Sequence, residues 1–423
     1  MTITVYPPYG SGSNNPVYVA FPPTGVDAFG RLRVSNPYTL FDSQNRYTID
    51  PQFSTSTTGT GTTSFLTNEA SVSMSVTNAG VGSVTRQTFR SFPYQPGKGL
   101  LVMATFVMDS SNSVNLTQRV GYFNAQNGVF FQRIDGVYSF VLRSNSRPTP
   151  GTPSDVRTVN QPSWNGDKLD GTGPSGITLD PTKAQILWMD FEWLGVGSVR
   201  CGFIINGQFI LCHTFTNANE ITSVYMTTAI LPVRYEITSA SAMNATLKQI
   251  CSTVISEGGY DQVSVDYAAR RTTIFSNIDT AANFYPIVSI RLASTALGAV
   301  VLPNNVKFQP TTLQNYEIAL IKNCTLTGAS WAAMPSDPNV EMDVSATAIA
   351  TLGTIVQTGY IANTGGGGQT NVVDNVGYNW DLQIGASIAG VSDIYTLGVR
   401  TISGATKGDG LGCISFYDLT YQL

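Results

Sequence analysis

Along residues 186–237, apolar and polar positions alternate in a way that commits the chain to strands. Leu187, Met189, Phe191 and Trp193 alternate with Trp188, Asp190 and Glu192, the period-two pattern of a half-buried strand. Residues 199–205 and 208–214 then flank Asn206-Gly207. That dipeptide tolerates the positive φ angles of a type I′ turn and predicts a two-residue hairpin. The turn would set Ile205 opposite Gln208, Phe203 opposite Ile210 and Cys201 opposite Cys212. Cys201, Phe203, Ile205, Ile210 and Cys212 then share one face, and Ile204, Phe209 and Leu211 the other. A hairpin apolar on both sides is expected inside a sandwich or beneath a partner subunit. Cysteines opposed at a hydrogen-bonded site would have Cα atoms ~5.5 Å apart, compatible with a disulfide. Two buried free thiols are the more ordinary outcome.

The same reading extends in both directions. Val72, Met74 and Val76 alternate with polar residues, 100–108 is an apolar run of buried-strand length, and 129–131 and 138–142 bracket Asp135-Gly136, a second hairpin signal. Residues 54–64, almost wholly Ser, Thr and Gly, read as a solvated loop, and 147–180 as a long Pro/Gly/Asn/Asp-rich one. Residues 247–255 fit a helix face through Leu247, Ile250 and Val254, but Thr253, Val254 and Ile255 favour a strand, which is the assignment adopted. Gly258-Gly259 marks a boundary. Beyond it, 262–275, 286–292, 299–308, 316–326, 354–361, 380–384, 394–402 and 414–421 are strand-like, separated by turn clusters such as Ser336-Asp337-Pro338. The expected architecture is all-β: an extended N-terminal arm over 1–50, a β-sandwich over 51–257, and a second sandwich or jelly roll over 258–423. Pro7-Pro8 and Pro22-Pro23 keep the arm irregular. Its apolar residues Phe29, Leu32, Val34 and Phe41 would dock it, either on its own domain or as a tether to a neighbouring subunit.

Composition sharpens this picture. Only 12% of the 423 residues are charged, about half the usual ~25%, so Ser, Thr, Asn and Gly supply most of the polar surface. A net charge of −4 gives no electrostatic reason to bind nucleic acid or an anionic membrane. No run of 18 apolar residues is present for a membrane span, and the first residues lack the regions of a signal peptide. Synthesis in the cytoplasm is the simplest expectation. The five cysteines form no CxxC pair.

Several phrases, taken as an ordered set, carry a resemblance. They are Asp27-Ala28-Phe29-Gly30-Arg31-Leu32-Arg33-Val34, Arg119-Val120-Gly121-Tyr122-Phe123, Trp164-Asn165-Gly166-Asp167-Lys168-Leu169-Asp170-Gly171, Trp193-Leu194-Gly195-Val196-Gly197, Leu231-Pro232-Val233-Arg234-Tyr235-Glu236 and Ser392-Asp393-Ile394-Tyr395-Thr396-Leu397. Over nearly the whole chain the sequence resembles a family of tailed-bacteriophage virion structural proteins from phages of marine and freshwater bacteria. The resemblance implies a non-enzymatic particle component assembled in the host cytoplasm and leaves its place open among tail, baseplate, fibre and capsid surface; the charge-poor apolar strands add the expectation of a homo-oligomer. Its partners would be copies of itself and other virion proteins, with host surface glycan as a further candidate. The central region is similar to the concanavalin/laminin-G type of sandwich, a fold that often binds sugars. Fold alone does not establish function.

Candidate chemistry is sparse. His213, the only histidine, has no Cys/His cluster of metal spacing and no Gly-x-Ser-x-Gly elbow beside it, so a structural role is expected. Alternation places Trp188, Asp190 and Glu192 on one strand face, a pattern that would suit two-carboxylate glycoside hydrolysis. Concanavalin-like glycosidases carry a further acid two residues before the first of these, where this chain has Trp188. The expected nucleophile is absent, leaving an ordinary solvated strand face, or Trp188 as a sugar-stacking platform without cleavage. Residues 165–171 could offer oxygens to calcium but lack the order of an EF-hand, and Asx-turns are the simpler use of Asp167 and Asp170. No catalytic residue, cofactor or metal ligand is assigned.

Overall fold

The computed structural model describes residues 36–109, 114–261, 264–279, 284–362, 380–402 and 407–420, with short backbone segments at 4–6, 18–20 and 371–373. Phe29, Leu32 and Val34 lie outside the described residues. Among the described ones, regular structure is all strand apart from two single turns of 3-10 helix, at Gln161–Ser163 and Trp380–Leu382. None contains a helix long and apolar enough to cross a membrane.

The first half is a sandwich of two antiparallel sheets. One has seven strands in the order Ser154–Asn160, Val137–Ser144, Gly128–Ile134, Leu116–Phe123, Val233–Ser239, Gly82–Thr88 and Phe53–Gly59. The other, of eight, runs from Gln208–Phe215 through Val199–Ile205, Gln185–Phe191 and Leu100–Val107 to Ala245–Ser256. That last strand pairs onward with Ser71–Val76 and Tyr38–Gln44, and Thr62–Leu66 closes the far edge. Alternation sets the inner faces: Leu100, Val102, Ala104 and Phe106 are buried from one strand, and Leu187, Met189 and Phe191 from its neighbour. Rings lock the sheets together, with Phe131 meeting Phe203 edge-on at 5.2 Å and Phe106 at 5.9 Å. Both expected hairpins form. Asn206 and Gly207 (φ 52° and 77°) and Asp135 and Gly136 (φ 51° and 82°) take the left-handed conformations that turn type demands.

Several expectations are corrected. Residues 38–44, placed in the arm by sequence, form a strand of the first sandwich. Phe41 is 2% exposed there, against Phe53 and Phe92, so it packs on its own domain and is closed to a neighbouring subunit. Residues 54–64 are not a loop but parts of two strands on different sheets; the threonines that look loop-like in composition suit exposed positions of a pleated surface. Within the supposed 147–180 loop, Ser154–Asn160 is an edge strand. The pairing of the central hairpin also shifts. Gly202 faces Leu211 but Cys201 faces His213, because a β-bulge makes Cys212 an extra residue. The two cysteines are buried, free and no longer opposed; burial pushes the Cys212 thiol up to about 12, which leaves it inert.

The second half stacks a five-stranded sheet on a six-stranded one. Ile287, Ile290, Ile318, Leu320, Leu397, Ile414 and Phe416 lie in its core. Asp337–Asp343, around an expected turn, is a strand, whereas 380–384, an expected strand, begins as a 3-10 turn. That turn ties the halves together. Trp380 is 7% exposed, donates Nε1 to the Tyr38 hydroxyl at 3.1 Å and meets the Tyr260 ring edge-on at 5.0 Å. Arg90, buried over Phe41 and Phe92, donates Nη1 to the Trp380 carbonyl at 2.5 Å. Val300, Leu302 and Leu419 extend the first core across the junction.

Trp380→Ala should therefore cost about 3–5 kcal/mol and uncouple the halves. Denaturant unfolding followed by circular dichroism should resolve two transitions where the unaltered chain gives one; an unchanged single transition would refute the junction's importance.

Candidate functional site

The outer face of the eight-stranded sheet is built in rows by the register of four strands. One row reads Thr105, Ile186, Ile204, Phe209; the next Met103, Trp188, Gly202, Leu211; the third Leu101, Asp190, Arg200, Thr214. The first two are apolar and the third is ionic. Trp188 points outward yet is only 4% exposed. Its indole lies over Gly202, where an added Cβ would come within 2.9 Å of Nε1, and Phe209 closes on it at 5.5 Å. Trp188 is consequently unavailable as a sugar platform. Around it Ile186, Phe209 and Leu211 remain 37%, 56% and 39% exposed.

Asp190 and Glu192 do reach one cleft. Asp190, 7% exposed, receives Arg200 in a two-pronged ion pair, with Nε at 2.7 Å from Oδ1 and Nη2 on Oδ2. Glu192 Oε1 accepts from the Ser198 backbone N–H and hydroxyl at 3.3 and 3.2 Å. Sequence reasoning missed Glu257, which directly follows the strand Ala245–Ser256, one strand beyond Leu100–Val107, and joins them in the cleft. Burial and then the Asp190 charge push its pKa up, against the pull of Arg200. Its carboxylate lies against Gly99, where an added Cβ would fall 2.6 Å from Oε2. Lys98 completes the rim, donating to Gln95 and Asp261, both at 2.9 Å. The cleft holds about 430 Å³ and is walled by Tyr94. On the other side of Tyr94 lies a second cleft of about 400 Å³, lined by Pro93, Pro96, Trp193, Thr228, Ile230 and Leu419. Trp193, anchored by Nε1 on the Met226 carbonyl at 3.2 Å, meets Tyr94 edge-on at 6.5 Å. Leu194 follows it at a left-handed φ of 35°, uncommon for leucine, and is 59% exposed at the rim of the first cleft.

The remaining candidates are structural in their contacts. His213 is 7% exposed, stacked edge-on to Phe215 at 4.5 Å, with Nδ1 receiving the Asn165 N–H at 3.4 Å. Asp167 accepts from the Leu169 and Ser175 N–H groups, and Asp170 from the Thr172 hydroxyl and N–H, contacts that hold the Asp170 carboxyl low. These are Asx-type turns. Among the described residues, no three His, Cys, Asp or Glu side chains gather as a metal site. The same loop covers the open edge of Gln208–Phe215: Gly166 and Asp167 donate to the Cys212 and Leu211 carbonyls, and the Asn165 side chain bonds Thr214 in both directions.

No family model and no curated protein matches the chain. Solved structures similar to part of it include the CBM2 module of the evolved Dit of Lactobacillus casei BL23 phage J-1 (6% identity, 54% of this chain and 100% of that one, TM-score 0.36). Others are the carbohydrate recognition domain of Emp47p (8%, 55% and 99%, 0.32) and peanut lectin (9%, 52% and 98%, 0.29).

Burial, then the Arg157 charge, lowers the His213 pKa from 6.5 to about 4, so the folded ring is neutral. The unfolded chain takes up this proton below 6.5, and the stability held by neutral His213 is intact above that pH and lost as pH falls through about 4. NMR of the single imidazole should give a midpoint near 4, and His213→Gln should flatten the fall in Tm between pH 6.5 and 4. A midpoint near 6.5 would contradict the buried placement.

Proposed function

We propose that the chain is a non-enzymatic bacteriophage virion protein that works by contact with copies of itself and other particle components, assembled in the host cytoplasm. The observation that carries this reading is the apolar outer face formed by Ile186, Ile204, Phe209 and Leu211 around Trp188. A contiguous apolar patch is costly to leave in water and is relieved by a covering subunit. Low charge, 12% of residues, and the resemblance of the ordered phrases to tailed-phage structural proteins support the same conclusion. Repetition in a symmetric particle lets modest contacts add. The arm through Phe29, Leu32 and Val34 remains the proposed tether; Phe41 does not belong to it.

A second reading, glycan recognition on the particle surface, is favoured by the mixed ionic and aromatic clefts beside Tyr94. Hydrolysis is not part of either reading: Trp188 stands two residues before Asp190, where a two-carboxylate glycosidase of this type carries its nucleophile.

The full chain should run as a closed oligomer in light scattering at micromolar concentration, and Phe209→Ser with Leu211→Ser should shift it at least tenfold toward monomer while leaving its circular dichroism unchanged. Removing residues 1–35 tests the tether without touching the strand at Tyr38–Gln44, and should weaken assembly. A full chain that stays monomeric at that concentration would refute the assembly role.

A further inference from the structure

The two clefts beside Tyr94 adjoin, and their chemistries differ in a complementary way. One offers Asp190, Glu192 and Glu257 with Lys98 and Arg200; the other offers Trp193, Pro93, Pro96 and Ile230 with the Thr227, Thr228 and Thr420 side chains. Tyr94 belongs to both, and the successive residues Trp193 and Leu194 line one each. A ligand spanning this ridge must present an apolar face to the aromatic side and a row of hydrogen-bond donors to the carboxylate side. Each cleft lies within the roughly 300–1,000 Å³ range of small-molecule sites.

We propose that this paired cleft binds a short, uncharged oligosaccharide, with one sugar ring packed on Trp193 and the prolines and the next presenting hydroxyls to Glu192 and Glu257. This rests on the glycan reading above and assigns its site. Pyranose rings carry an apolar C–H face and an equatorial rim of hydroxyls, the two surfaces the ridge separates, and Trp supplies a wide apolar platform with little entropy to lose. The charges decide between sugar classes. Arg200 is taken up by Asp190 and Lys98 contacts Asp261, so three carboxylates facing two engaged cations leave the first cleft with a net negative field. Acidic sugars would bring a like charge into it, whereas neutral hydroxyls donate to carboxylates in charge-assisted hydrogen bonds.

The test is titration of the full chain with cellohexaose, maltohexaose, chitohexaose and hexagalacturonate, followed by tryptophan fluorescence and calorimetry. At least one neutral hexasaccharide should bind saturably, and hexagalacturonate at least tenfold more weakly, equivalent to about 1.4 kcal/mol. Glu192→Gln with Glu257→Gln, near-isosteric at the cleft, should weaken the neutral ligand at least tenfold and erase the discrimination against the acidic one. Trp193→Phe should weaken binding while the ring still fills its place. Saturable binding that survives all these substitutions would overturn this site while leaving the glycan reading standing. A preference for hexagalacturonate would overturn the uncharged-ligand assignment while leaving the glycan reading standing, and no binding by any of the four would overturn both.

Discussion

The seating of the Trp188 indole over Gly202 is the contact on which the exposed face of this molecule depends. A side chain of that size on an outward row would ordinarily stand in solvent; here the missing Cβ across the strand pair lets it lie flat, and Phe209 is drawn down beside it. The ring is spent on smoothing the sheet. What remains in water is a low apolar surface of isoleucine, phenylalanine and leucine, bordered one row further along by the Asp190–Arg200 ion pair. Apolar face and ionic cleft are thus adjoining parts of one pleated surface, in successive rows of residues. Any cover laid on the first has to stop short of the second or close it.

How much of this could be read from the chain follows the range of the interactions involved. Local turn signals read true: Asn206-Gly207 and Asp135-Gly136 make the turns their φ preferences demand. Alternation from Leu187 to Phe191 marks the inward-facing residues but not the burial, since Trp188 and Asp190 on the other face are buried as well. The all-β class followed from the same patterns. Composition misled where it stood in for structure, as at 54–64, where serine and threonine line strands. The opposition of Cys201 and Cys212 failed for a different reason. A bulge adds one residue to one strand, and nothing in local periodicity announces it.

The candidate site was legible only in half. Asp190 and Glu192 were visible as alternating acids, and they do share a cleft. Glu257 lies 65 positions beyond Glu192 and arrives there because Ala245–Ser256 and Gln185–Phe191 both pair with Leu100–Val107. Trp193, to which the proposed aromatic role passes from Trp188, differs from it by contacts with Tyr94 and Met226 rather than by anything in its own neighbourhood of sequence. A pointer existed in Leu194-Gly195, where leucine precedes glycine in a tight turn, but it becomes meaningful only once the left-handed φ of Leu194 is known.

The loop over the outer edge of Gln208–Phe215 has a consequence for how such a protein meets another. With the Leu211 and Cys212 carbonyls already taken by Gly166 and Asp167, and Thr214 clasped by Asn165, that margin offers no ladder for a foreign strand to zip onto. Along this stretch, approach is left to side chains against side chains. Contacts of that kind can be gained and released without the runaway polymerisation that an uncapped margin invites.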